Sequence, residues 1–192
     1  MNLKKYFIYF SVGLWALASP LSADYEEGVN AAFDGDFATA FREFSLAAEE
    51  GLDLAQYNLA ILYYMGQGVD VDYQLAYKWT LAAAEQGHAA AALNLGSLYS
   101  EGQGVGEDQA EALTWYEAAA KSGQADAAFL LATIYRDGDN TDKDLVLAHA
   151  WASMAGSNDH QEAASLRDSI KSQMNIDQLS QARRLFARWQ IE

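Results

Sequence analysis

The 192-residue chain contains no cysteine. That excludes a disulfide framework, a zinc–thiolate site, a thiol nucleophile and a lipid-carrying cysteine. It is also poor in positive charge, with 12 Lys and Arg against 27 Asp and Glu and a formal charge of −15. Such a surface repels nucleic acid and anionic lipid. A long apolar run is missing too. The longest, Tyr6 to Ala18, is shorter than the roughly 20 residues a membrane-spanning helix requires. Lys4 and Lys5 precede that run, Pro20 breaks it, and small residues surround Ala23. This is the layout of a secretory signal peptide over residues 1–23, with cleavage expected before Asp24; an uncleaved leader would instead tether the chain to a membrane. Cleavage removes two lysines and takes the charge from −15 to −17. The charge is uneven. Residues 24–161 hold five Lys and Arg against 23 acids, whereas residues 162–192 hold five against four, with Arg183, Arg184 and Arg188 close together.

The chain aligns with itself at an offset of 36 residues, without a gap. Ala55, Ala91 and Ala127 coincide, as do Leu59, Leu95 and Leu131, and Tyr63, Tyr99 and Tyr135. Gly66, Gly102 and Gly138 follow, then Asp72, Asp108 and Asp144, and then Trp79, Trp115 and Trp151. Each unit reads as two amphipathic helices. In the first copy they run from about Leu54 to Met65 and from about Tyr73 to Gln86. The recurrent aspartates stand at N-cap positions, and Asp108 with Glu111 suggests a capping box. Gly87 and Gly123 end second helices. The tryptophans are expected to form one buried column, with Trp79 and Trp115 more costly to remove than Trp151, whose unit is degenerate.

The repeated Gly-Gln-Gly-Val at Gly66 and Gly102 invites a phosphate-loop reading. Such a loop needs a strand before it and a Lys-Ser or Lys-Thr after it, and neither is present. The glycines instead read as helix punctuation, with Val69 and Val105 folding back onto the core. The remaining chemistry is sparse. His88, His149 and His160 share no metal-ligand spacing. The acidic stretch from Asp137 to Asp144 fails the EF-hand pattern at positions six and twelve. Adjacent acids such as Glu49 and Glu50 point to different helix faces, and no nucleophile elbow occurs. No catalytic constellation, metal site or cofactor site is expected.

The pattern Ala-x3-Leu-x3-Tyr-x2-Gly-x-Gly-Val, followed by Asp-x3-Ala-x2-Trp and Ala-Ala-x3-Gly, resembles the Sel-1-like repeat, a relative of the tetratricopeptide repeat. Copies cover 54–89, 90–125 and 126–160; residues 24–53 resemble a shortened first copy, and 161–192 resemble terminal capping helices. The fold expected is all-α: a right-handed solenoid of stacked antiparallel helix pairs, because one unit cannot bury its apolar face alone. The resemblance implies a non-enzymatic protein-interaction role, with the first helix of each pair lining a concave groove. On that geometry the inward-facing, open positions are Tyr57, Ile61 and Tyr64, joined by Phe33. Asn58 and Asn94 share a column that either holds a ligand backbone or makes a structural hydrogen bond. The expected partner is a protein or peptide, best suited by a basic surface. The chain itself is expected to be a monomer in a bacterial periplasm or envelope. The rival readings are a cell-wall hydrolase or its accessory protein, and a membrane-tethered structural protein.

Overall fold

A computed structural model describes residues 20–139 and 141–191. The signal-peptide expectation therefore falls largely outside the described residues, although the first helix already begins at Pro20, ahead of the expected cleavage point. Every regular element among the described residues is an α-helix. In order these are α1 Pro20–Asp34, α2 Phe37–Glu49, α3 Asp53–Met65, α4 Tyr73–Glu85, α5 Ala89–Glu101, α6 Gln109–Lys121, α7 Ala125–Asp137, α8 Leu145–Ser157, α9 Ala163–Lys171 and α10 Ile176–Trp189. The chain divides into two compact units, one ending at Gln86 and one running from Gly87 onward. In the first, α1 to α4 pack each on the next; in the second, α5 to α8 do the same, and α9 and α10 both cover α8.

Local chemistry sets the helix ends largely as expected, but Asp108 and Glu111 form no reciprocal capping box, because the Asp108 N–H is taken by the Tyr99 carbonyl. Asp72, Asp108 and Asp144 each accept hydrogen bonds from two backbone N–H groups of the helix they start, satisfying donors that would otherwise have no partner. Asp36 does the same for α2 through the N–H of Thr39. A reciprocal capping box forms at Asn175 and Gln178, where both side chains take part. Gly66, Gly102 and Gly138 end α3, α5 and α7 in the left-handed region, with φ of 69°, 67° and 78°. A side chain would strain that backbone, which explains why glycine recurs there. The turn glycines are thus helix caps and not a phosphate cradle. Val69 and Val105 are half-buried beneath their turns.

The first core gathers Ala40, Phe44, Ala47, Ala55, Leu59 and Leu62, with Tyr25, Phe41, Tyr63 and Trp79 packed around it. Buried Gln56 ties three helices of this unit. Its Nε2 donates to the Ala48 carbonyl at 3.3 Å, and its Oε1 accepts from Gln86 at 2.7 Å. In the second unit Ala91, Leu95, Ala127, Leu131 and Ala148 are fully buried.

The tryptophan column departs from expectation. Trp151 is 1% exposed, whereas Trp79 and Trp115 are only half-buried. The cause is the terminal cap: Trp189 of α10 stacks on Trp151 at 4.1 Å between ring centroids. The tryptophan of the most degenerate repeat is therefore the deepest. Trp79 instead lies under its neighbour's ammonium, with Lys78 Nζ 4.7 Å from the ring centroid.

Candidate functional site

The residues expected to line a groove fall on three helices. Phe33 lies on the last turn of α1 and is 92% exposed. Tyr57, Asn58, Ile61 and Tyr64 follow one another along α3, as their spacing requires. Asn94 is half-buried on α5, in the second unit.

On α3 the buried stripe is Ala55, Leu59 and Leu62, with Tyr63 half-buried beside it. Tyr57 and Ile61 are half-buried on the flanks, and Tyr64 is 39% exposed. Asn58 donates from Nδ2 to the Tyr25 hydroxyl at 3.1 Å, which joins α3 to α1. That amide thus makes a structural hydrogen bond between helices. Burial pushes the Tyr25 phenol up from its ordinary value, and Asn58 opposes that shift. The phenol therefore stays neutral and remains a donor in its own right.

Tyr64 does not stand alone. Its ring meets Tyr73 of α4 edge-on, 5.4 Å between centroids and 65° between planes. Met65 is 60% exposed, Val71 52% and Tyr73 42%, so an apolar cluster surrounds the turn from α3 to α4. Met65, Val71 and Tyr73 were not singled out from the sequence. The signal was present in the 36-residue alignment, because the matching residues of the next copy are Glu101, Glu107 and Gln109.

The titratable groups hold structure together. His88 caps α5 by accepting from the Ala91 N–H at 3.1 Å. His160 stacks on Phe129 at 4.0 Å and accepts the Glu162 N–H. Buried Glu43 is paired with Arg42, 2.6 Å away, which also approaches Glu27. At the end of α7, Arg136 pairs with Asp137 and holds that carboxyl below the usual carboxylate range. Among the described residues no group of three or more His, Asp or Glu side chains could hold a metal ion. No described helix is long and apolar enough to cross a membrane.

The Sel1 repeat model matches residues 53–88, 89–124 and 125–160, together more than half of the chain. No curated protein matches it. Among solved structures, a Sel1 repeat protein from Oxalobacter formigenes is similar at 28% identity and a TM-score of 0.70, over 74% of this chain and 59% of that one. A protective antigen of uropathogenic Escherichia coli strains, described as displaying an SLR fold, is similar at 25% identity and a TM-score of 0.59. That likeness covers 91% of this chain but 46% of the antigen. The chain thus spans less than two thirds of either relative. Three consecutive family matches, helix pairs that obey the repeat and solved relatives of the same build lead to one conclusion: this chain belongs to the Sel1 repeat family.

Proposed function

We propose that the protein is an exported, non-enzymatic interaction module that acts as a monomer and binds a protein or peptide with a basic surface through its first helical unit. One observation carries this reading. Eight of the ten large apolar side chains exposed among the described residues lie between Val29 and Tyr73. Exposed aromatic and aliphatic groups concentrated in one region are the usual raw material of an interface. The acids around them suit a cationic partner, because opposite charge speeds encounter more than it deepens affinity. Membership of a family of interaction repeats supports the same reading.

The test is affinity chromatography on envelope extract, followed by titration of the purified partner. Tyr64→Ala and Tyr57→Ala should each weaken binding by about 1–3 kcal/mol, the range of interface anchors. Thermal melts of the same variants separate lost contacts from lost folding. Full-strength binding by both variants would remove the first unit from the interface. Mass spectrometry of the native amino terminus tests export: a chain starting at Asp24 supports it, and an intact Met1 contradicts it.

A further inference from the structure

The turn between the helices of a repeat occurs three times, and its described ends follow one plan. Each copy ends its first helix on a left-handed glycine, and the residue five positions later lies against that glycine. A Cβ built on Gly66 would meet Val71 Cγ2 at 2.7 Å, one on Gly102 would meet Glu107 Cβ at 3.3 Å, and one on Gly138 would meet Lys143 Cβ at 3.3 Å. The geometry is shared, but the chemistry is not.

In the second copy the matching positions of this turn are polar, and three of them are bonded to one another. Gln109 Nε2 donates to the Ser100 carbonyl at 3.0 Å and to Glu107 Oε1 at 3.1 Å. In the third copy Arg136 pairs with Asp137, and Lys143 is exposed beside them. In the first copy the corresponding residues are Tyr64, Met65, Val71 and Tyr73, all of them between 39% and 60% exposed. The third copy keeps an apolar residue only at the last of these positions, Leu145, which is half-buried. The fold accepts polar residues at the positions of Tyr64, Met65 and Val71 in both other copies, and at all four in the second, so it does not require the apolar ones. A fully apolar, exposed set in one copy alone is the mark of a contact surface and not of packing.

The rim of this cluster is acidic. Asp70 lies within the turn. Gly68 sits so close to the backbone of Phe37 that any side chain there would collide with it, which places the turn beside the start of α2. Asp36 caps that start, and its bonds with Thr39 hold its carboxyl below the usual range. From Asp24 to Tyr77 the sequence has a single Lys or Arg, Arg42, and it is engaged by Glu43 and Glu27.

We propose that the α3–α4 turn of the first repeat is a docking site for a peptide segment of the partner in which an apolar or aromatic residue is flanked by Lys or Arg. The inference rests on the interaction-module reading and narrows it to one face and one ligand chemistry. The apolar residue would cover the Tyr64 and Tyr73 rings, and the flanking cations would meet Asp36 and Asp70.

The experiment pans a random dodecapeptide display library on the native protein. Enriched peptides are then measured by fluorescence anisotropy against the wild type and the variant Y64S/M65E/V71E/Y73Q, which installs the second copy's residues on the same backbone. Val71→Glu alone serves if the fourfold variant melts early. The expected result is a consensus of an apolar or aromatic residue beside Lys or Arg. Its affinity should fall at least about tenfold in the variant, the range set by one anchor residue. It should also weaken as salt rises. The variant adds two negative charges, so a loss of basic peptides cannot come from weaker attraction. Enriched peptides that lack cations, or that bind the variant equally well, overturn this site and leave the interaction-module reading standing. A library that yields no binder also overturns this site, and the interaction-module reading then falls only if envelope extract yields no partner either.

Discussion

Replacing Trp151 with alanine tests how the second unit is held together. The side chain is 1% exposed, and Trp189 stacks on it at 4.1 Å, so the deletion opens a cavity beneath α10. Large aromatic residues removed from cores cost about 3–5 kcal/mol. One feature lowers the figure here. The indole Nε1 is buried with no hydrogen-bond partner among the described residues. An unsatisfied buried donor carries a penalty of about 1–3 kcal/mol, which the deletion returns. The net loss is therefore about 2 kcal/mol. Trp115→Ala, at a half-buried position, should cost roughly half as much, since the transfer contribution scales with the area removed from water. Trp151→Phe keeps most of the stack and removes the unpaired donor, so it should cost less than about 1.5 kcal/mol. Urea unfolding followed by far-UV circular dichroism gives the order. Repeat arrays can unfold in parts, so amide exchange in α8 to α10 should accompany it. A Trp115→Ala variant less stable than Trp151→Ala would refute the reasoning, because it would mean that the cap does not bury the third tryptophan.

Two further substitutions probe packing and charge. Gly96→Ala should destabilise by about 1–2 kcal/mol although alanine is the better helix former, because overpacking outweighs a propensity gain of about 1 kcal/mol. A Cβ there would lie 2.5 Å from the Tyr116 ring, and a chemical melt showing stabilisation would contradict that contact. His149 is buried, and burial first, with the charges of Arg167, Arg183 and Lys171, pushes its pKa below the ordinary histidine value, against a weaker opposing pull from Asp168. The unfolded chain takes up that proton more readily, so stability should be full above about pH 6.5 and decline as pH falls below it. Melting temperatures between about pH 7.5 and 5.5 should show the decline in the wild type and a flatter curve in His149→Leu. Equal slopes would mean that His149 ionises freely in the fold.

The helix pairs, their lengths and their caps were legible in the sequence because they depend on local chemistry. An aspartate at an N-cap bonds to N–H groups two and three residues away, and a glycine in the left-handed region answers to its own backbone. The 36-residue period then made each copy a check on the others. Other features depended on residues far apart in the chain, and only the tertiary structure decided them. Trp151 is deepest because Trp189, from a helix outside the repeats, covers it. The bond that Asn58 makes depends on Tyr25, 33 residues earlier, whose hydroxyl accepts its amide proton. Gly96 has no room for a side chain because the Tyr116 ring and the Ala112 carbonyl of the next helix fill the space. The candidate surface lies between these cases. Tyr64, Met65, Val71 and Tyr73 could be seen as exceptions to the repeat, yet their union into one exposed cluster required a turn that lays Val71 against Gly66 and brings two tyrosine rings together. Periodicity identifies which residues differ between copies. Folding decides which of those differences meet in space.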